Sequence, residues 1–187
     1  MSTTEFDTDF GIDIDDVDPD RIGGFTKVKE GGYHFEVEAV NPKMEKSGDM
    51  MVESRVCMGT EASEIGKTHR EYYQWPTGDI SDKVRHARRS AILAFYIAVK
   101  LTTADEIKAL QEQHKQLQIN PELALGRPFK GQIKHREWEK DGNKGVSVEL
   151  GFNVWTIDSS KAAWIPVNQG KLATAGDAAA DPFDGVF

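Results

Sequence analysis

Gly31-Gly-Tyr-His-Phe-Glu-Val-Glu-Ala39 is the stretch that decides the fold class. Behind the paired glycines, Tyr33, Phe35, Val37 and Ala39 fall on one side of a period-two pattern, with His34, Glu36 and Glu38 on the other. Strict alternation marks a strand with one buried face. Tyr33 and Phe35 share a side with Val37 and are assigned to the core. Asn41–Asp49 is polar with a Pro and a Gly, so it reads as a loop. Met50–Met58 then alternates again, Val52, Ser54, Val56 and Met58 against Met51, Glu53, Arg55 and Cys57. A hairpin is predicted. Gly59–Gly66 is a connector, and Lys67–Trp75 supplies a third strand.

Pro76-Thr-Gly78 ends the strand pattern. From Ser81, a plausible N-cap, the period becomes helical: Val84, Ala87, Arg88, Ala91, Ile92, Phe95 and Ala98 or Val99 recur at i, i+3, i+4 spacing. Thr103-Ala-Asp-Glu106 reads as a capping box opening a second helix to about Gln118. Asn120-Pro121 and Gly126-Arg-Pro128 end the helical region. Beyond them Phe129, Gly131 and Ile133 oppose Lys130, Gln132, Lys134, Arg136 and Trp138. Lys140–Gly145 holds an Asp-Gly hairpin turn. Val146, Val148, Leu150, Phe152 and Val154 predict the inward face of a last strand ending near Ile157. The order is three strands, a helical insert and two strands, which is the order of a five-stranded OB-fold-like barrel. The fold class expected is mainly β with a helical insert between disordered acidic termini.

Charge divides the 187 residues into three parts. The formal net charge is −8, from 23 basic and 31 acidic residues. Residues 1–20 hold eight acidic residues and no Lys or Arg, and residues 172–187 hold three and no base. The remainder, 21–171, carries 20 acidic and all 23 basic residues, a formal +3. A weakly basic body therefore stands between an acidic N-terminal segment (1–20) and a flexible acidic C-terminal tail (172–187). In the first, acid alternates with Phe6, Phe10, Ile12, Ile14 and Val17, a pattern open to disorder or to an edge strand formed on binding. The second passes through small residues to Asp181-Pro-Phe183-Asp184-Gly-Val-Phe187, which reads as a tether ending in a recognition peptide.

Several function classes find no support. Apolar runs such as Ala91–Val99 are far short of the ~20 residues of a membrane span, so no membrane association is expected. Residues 1–15 have neither a basic n-region nor an apolar h-region, so no secretory signal is expected. Cys57 is the only cysteine; with no disulfide framework possible, a cytoplasmic location is expected. Lys46-Ser47-Gly48 lacks the spacing of a phosphate loop. His34, His69, His86, His114 and His135 never fall at metal-ligand spacing. Glu106-x-Lys108 resembles a fragment of nuclease motifs but sits on a helix patterned for solvent. No enzyme and no cofactor are expected.

Binding is better supported. Lys130, Lys134, Arg136 and Trp138 share the outward face of the fourth strand, pairing cations for phosphates with an aromatic for bases, as a single-strand groove requires. Tyr72, Tyr73, Trp75 and Trp155 add aromatics on neighbouring strands, with Arg55 and Arg70 nearby. Lys43 and Lys46 sit in the first hairpin loop, which OB-folds use to hold ligand. Lys83, Arg85, Arg88 and Arg89 give the first helix a basic flank.

Val28-Lys-Glu-Gly-Gly-Tyr33-His-Phe, Lys46-Ser-Gly48, Leu125-Gly-Arg-Pro-Phe129 and the Asp-Gly hairpin resemble segments of bacteriophage single-stranded-DNA-binding proteins. The Asp181-Pro-Phe-Asp184…Phe187 end is similar to the acidic, aromatic-terminated tails of single-stranded-DNA-binding proteins generally. The resemblance implies an OB-fold, sequence-independent single-stranded DNA binding in replication or recombination, and a tail (Asp181, Phe183, Asp184, Phe187) that recruits replication or recombination proteins. The helical insert is longer than a minimal OB-fold needs, and the acidic N-terminal segment is foreign to that pattern. The alternative is an OB-like protein-interaction or DNA-mimic module acting through its acidic ends; a nuclease ranks third.

Overall fold

In the computed structural model the described residues are 27–140 and 142–170. The expected disorder of residues 1–20 and 172–187, and the partner role of Asp181, Phe183, Asp184 and Phe187, lie outside them. The described residues are mainly β, with six antiparallel strands and two α-helices among them: β1 (Gly31–Asn41), β2 (Met50–Gly59), β3 (Thr68–Tyr73), α1 (Asp82–Ala98), α2 (Ala104–Glu112), β4 (Pro128–Lys140), β5 (Asn143–Glu149) and β6 (Val154–Trp155). The sheet runs β3-β2-β1-β4-β5, and β6 also pairs with β4. Cys57 and Glu38 fall at irregularities of the β1–β2 register, where one strand carries an extra residue.

The alternating apolar residues face one core. Tyr33, Phe35 and Val37 of β1, Met50, Val52 and Val56 of β2, Tyr73 of β3, and Phe129 and Ile133 of β4 are all buried. α1 closes this side with Ile92, Phe95, Tyr96 and Ala98, joined by Val99 just past its end. Phe95 sits at the centre: its ring stacks on Tyr73 at 5.2 Å and meets Phe129 edge-on at 5.9 Å, while Phe129 stacks on Phe35 at 5.2 Å. Ser81 caps α1 through the Val84 N–H, and Thr103 with Glu106 forms the full capping box of α2. The first half of α1 leaves the core, and Val84 is exposed.

Three boundaries differ from the sequence expectation. The last strand is interrupted after Glu149 because Gly151 takes a left-handed φ of +52°, so Phe152 points to solvent and only Val154–Trp155 returns to the sheet. The second helix stops at Glu112, and His114 follows with a φ of +53°. No strand ladder joins β3 to β5, so the sheet is open rather than a closed barrel. That seam is bridged by a side chain: the Glu71 carboxylate on β3 accepts the Leu150 N–H at 2.9 Å, and His69 Nε2 lies 3.0 Å from it. Residues 27–30 also border the seam. The Val28 carbonyl is 2.8 Å from His135 Nε2, Glu30 accepts the His135 N–H at 2.7 Å, and the Lys29 N–H reaches Glu64 at 3.2 Å.

A strap of residues 156–168 crosses the outer side of the sheet. Its contact point is Gly32, where a Cβ would lie 2.2 Å from the Trp164 ring and 2.7 Å from Ile165. Only glycine permits that approach. No helix among the described residues is long and apolar enough to cross a membrane.

Candidate nucleic-acid interface

Strand alternation sorts the candidate residues by face. Met50, Val52, Ser54 and Val56 point inward, so Met51, Glu53 and Arg55 point outward, opposite Tyr72, Arg70 and Thr68 of β3. On β4, Phe129, Gly131 and Ile133 are buried, and Lys130, Lys134, Arg136 and Trp138 alternate with that buried set. Their β5 partners are Glu149 for Lys134, Ser147 for Arg136 and Gly145 for Trp138. Trp155 pairs with Lys130.

Exposure then separates them. Tyr72 and Trp138 are half exposed, at 51% and 46%. Trp138 rests on Gly145, where a Cβ would be 2.5 Å from its ring, so the indole is held on the hairpin with one side open. Two aromatics proposed as base platforms are taken up elsewhere. Tyr73, the inward neighbour of Tyr72, is 3% exposed and stacked on Phe95, and burial raises its phenol well above the ordinary value. Trp75 packs on the core and donates Nε1–H to the Pro42 carbonyl at 3.0 Å, tying the chain after β3 to the β1–β2 loop. Trp155 is half-buried.

The cations divide in the same way. Lys130 is 5% exposed, between His34 and Trp155, and so is no surface contact. Arg55 pairs with Glu38 at 3.1 Å and Glu36 at 3.6 Å, and Arg70 with Glu53. Three carboxylates around two guanidiniums make the middle of the outer face about neutral, not basic. Lys43, Lys46, Lys134 and Arg136 are exposed and have no carboxylate partner among the described residues. The first two stand on a closed loop: the Met44 N–H donates to the Asp49 carbonyl and the Gly48 N–H to the Met44 carbonyl, and Asn41 and Ser47 accept the N–H groups of Lys43 and Asp49.

Sequence reasoning missed one member. At the open seam a cleft of about 270 Å³ is walled by Lys27, Thr68, Arg70 and Tyr72 over Val28 and Val148. Lys27 precedes the strand pattern, and only the folded path of residues 27–30 brings it to β3. On the basic flank of α1, Arg88 is engaged by the Trp75 carbonyl and Arg85 by the Ile80 carbonyl, while Lys83 and Arg89 are exposed. Among the described residues no three His, Cys, Asp or Glu side chains stand close enough to hold a metal ion.

The strap sets the chemistry of the covered end. Asn168 donates its N–H to His34 Nδ1 at 3.0 Å and its Nδ2 to the Cys57 carbonyl at 3.4 Å. The neutral His34 ring therefore carries its proton on Nε2, which is buried without a partner. Burial, opposed by Glu36 and reinforced by Lys130, lowers the His34 pKa to about 4. The unfolded chain takes up this proton near pH 6.5, so the stabilisation is complete above 6.5 and is lost as pH falls towards 4. The loss expected is about 2 kcal/mol after screening. Urea unfolding at pH 7 and pH 4.5 should show it. A His34→Asn variant should show less pH dependence across that window, and Trp164 emission should shift as the strap loosens.

Outward aromatics, unpaired cations on two hairpins and a cleft at an open seam suit a flexible polyanion carrying flat bases. No family model matches the chain, and no curated protein is significantly similar to it.

Proposed function

We propose that the protein binds single-stranded DNA without sequence preference, through an OB-type sheet, in phage DNA replication or recombination. The observation that carries this is the half exposure of Tyr72 and Trp138 on the outward side of their strands, with Lys27 beside Tyr72 in the cleft, Lys134 and Arg136 on the Trp138 face of β4, and Lys43 and Lys46 exposed on the β1–β2 loop. Aromatics stack on bases at about 1–3 kcal/mol each whatever the sequence, and the lysines and arginine meet phosphates. Strand order supports the OB reading. Three strands, helices, then two strands, with β1 between β2 and β4 and a seam between β3 and β5, suit a partly open five-stranded barrel that binds oligonucleotides on its strand 2–3 face and flanking loops. The acidic ends then serve protein partners.

Fluorescence titration with oligo(dT), duplex DNA and RNA at 50 and 200 mM salt tests this. With five phosphate contacts the log–log salt slope is about −3.5 for a single strand, or roughly a 100-fold loss between the two salts. Tryptophan quenching by oligo(dT), stronger than by duplex, is expected. No quenching at 50 mM salt would overturn the proposal. The neutralised centre of the outer face, with Glu36, Glu38 and Glu53 against Arg55 and Arg70, favours a second reading as a protein-interaction module. Failure to bind any nucleic acid in the same titration selects it.

A further inference from the structure

We propose that the first half of α1 is a second contact surface for the backbone of a single DNA strand, one that takes phosphates without stacking bases. All the charge of this helix lies in residues 82–89, where Lys83, Arg85, Arg88 and Arg89 stand against Asp82; residues 90–98 carry none. None of residues 82–89 is buried, whereas Ile92, Phe95, Tyr96 and Ala98 are. Helices in folded proteins are stabilised mainly by the face they bury, and like charges at i, i+4 work against them. Arg85 and Arg89 have that spacing. Two turns that bury no side chain and repel themselves suit an anionic partner. α2 has the opposite balance, Asp105, Glu106 and Glu112 against Lys108.

Two arginines fix where this half stands. Arg88 Nη1 donates to the Trp75 carbonyl and Arg85 Nη2 to the Ile80 carbonyl, each at 3.2 Å, which holds the helix against the segment leaving β3. Trp75 in turn donates to the Pro42 carbonyl at 3.0 Å. Register places Tyr72 at the same end of the sheet: its β2 partner is Met51, and Met51 pairs with Asn41 at the root of the β1–β2 loop. A strand stacked on Tyr72 that leaves the sheet at this end passes the loop with Lys43 and Lys46 and reaches α1. There Lys83, His86 and Arg89 are exposed at i, i+3, i+6, one ridge about 9 Å long. Lys83 and Arg89 have no carboxylate partner among the described residues; Asp82 faces Arg85, at 3.9 Å. Residues 42–49 and 76–89 hold six cations against the carboxylates of Glu45, Asp49, Asp79 and Asp82, a net basic surface. No Phe, Tyr or Trp lies in 76–89, so the ridge offers charge alone. The inference rests on the single-stranded DNA proposal and extends the strand's path beyond the sheet.

Titration of the full-length protein at 50 and 200 mM salt with oligo(dT) of about 8 and about 30 nucleotides tests this. Five contacts on the sheet and its loops give a log–log slope of about −3.5, and Lys83 and Arg89 should steepen it to about −4.9 on the long strand only. Lys83→Gln combined with Arg89→Gln removes both charges and keeps good helix formers. It should return the long-strand slope to about −3.5, so that the loss between the two salts is about sevenfold smaller than in the parent. Short-strand affinity and tryptophan quenching should not change. Lys108→Gln combined with Lys115→Gln makes the same charge change on and after α2 and should move neither slope. Equal long-strand slopes in the parent and the α1 variant overturn the second surface and leave the sheet site standing. Equal shifts in the two double variants reduce the effect to net charge and overturn it as well. A larger effect on duplex DNA than on oligo(dT) assigns the ridge to duplex and overturns the single-strand form. A parent that binds no oligonucleotide overturns the DNA-binding proposal and this inference together.

Discussion

Phe95→Ala is expected to lower the free energy of unfolding by about 3–5 kcal/mol. The side chain is fully buried and joins the helical layer to two strands, stacking on Tyr73 and meeting Phe129 edge-on. Truncation removes these two contacts and the tilted one with Tyr96, and leaves a void that rigid neighbours cannot fill, because Phe35 and Phe129 are themselves fully buried and stacked. Val84→Ala in the same helix is the control. Val84 is 41% exposed, so its loss should stay within about 0.5 kcal/mol. Urea denaturation of both variants at pH 7 reads the contrast. Equal losses would mean that α1 does not pack on the sheet through its second half.

The largest functional effect is expected from Tyr72→Ala combined with Trp138→Ala. Each ring is half exposed, and at about 1–3 kcal/mol per stacked base the pair should weaken oligo(dT) binding by about 2–6 kcal/mol, at least roughly 30-fold. Neither ring belongs to the buried core, so thermal unfolding should move little. Tyr73→Phe separates stacking from general damage. Its hydroxyl is buried without a hydrogen-bond partner, and its removal should leave affinity unchanged. An unchanged oligo(dT) affinity in the double variant would remove stacking from the mechanism and leave only charge.

Faces were legible in the sequence and their covers were not. Alternation placed Tyr33, Phe35 and Val37 inward and Lys134, Arg136 and Trp138 outward, because a pleated strand converts parity into side. It gave Lys130 the same parity as Lys134, yet Lys130 is 5% exposed. Parity says which side a residue takes, not what lies over that side. The strap over Gly32 and His34 comes from more than 120 positions along the chain, and Asn168 carries no local mark of its target. Likewise Tyr72 and Tyr73 are adjacent aromatics of equal promise in the sequence; one parity step puts the second in the core. Breaks caused by φ were invisible for the same local reason. The run Val148, Leu150, Phe152, Val154 alternates without interruption, and only the left-handed turn at Gly151 shows why Phe152 faces solvent. Arg55 and Arg70 read as free cations until register brought Glu36, Glu38 and Glu53 beside them.

The Glu71–Leu150 contact has a consequence for motion. Where a backbone ladder closes a sheet on itself, parting any two strands breaks many hydrogen bonds and amounts to global unfolding. Here one carboxylate and the short lead-in span the gap, so parting β3 from β5 breaks few hydrogen bonds and the seam has its own, smaller opening energy. The sheet can therefore part at this one place while the β1–β4 ladder and the helical layer stay shut.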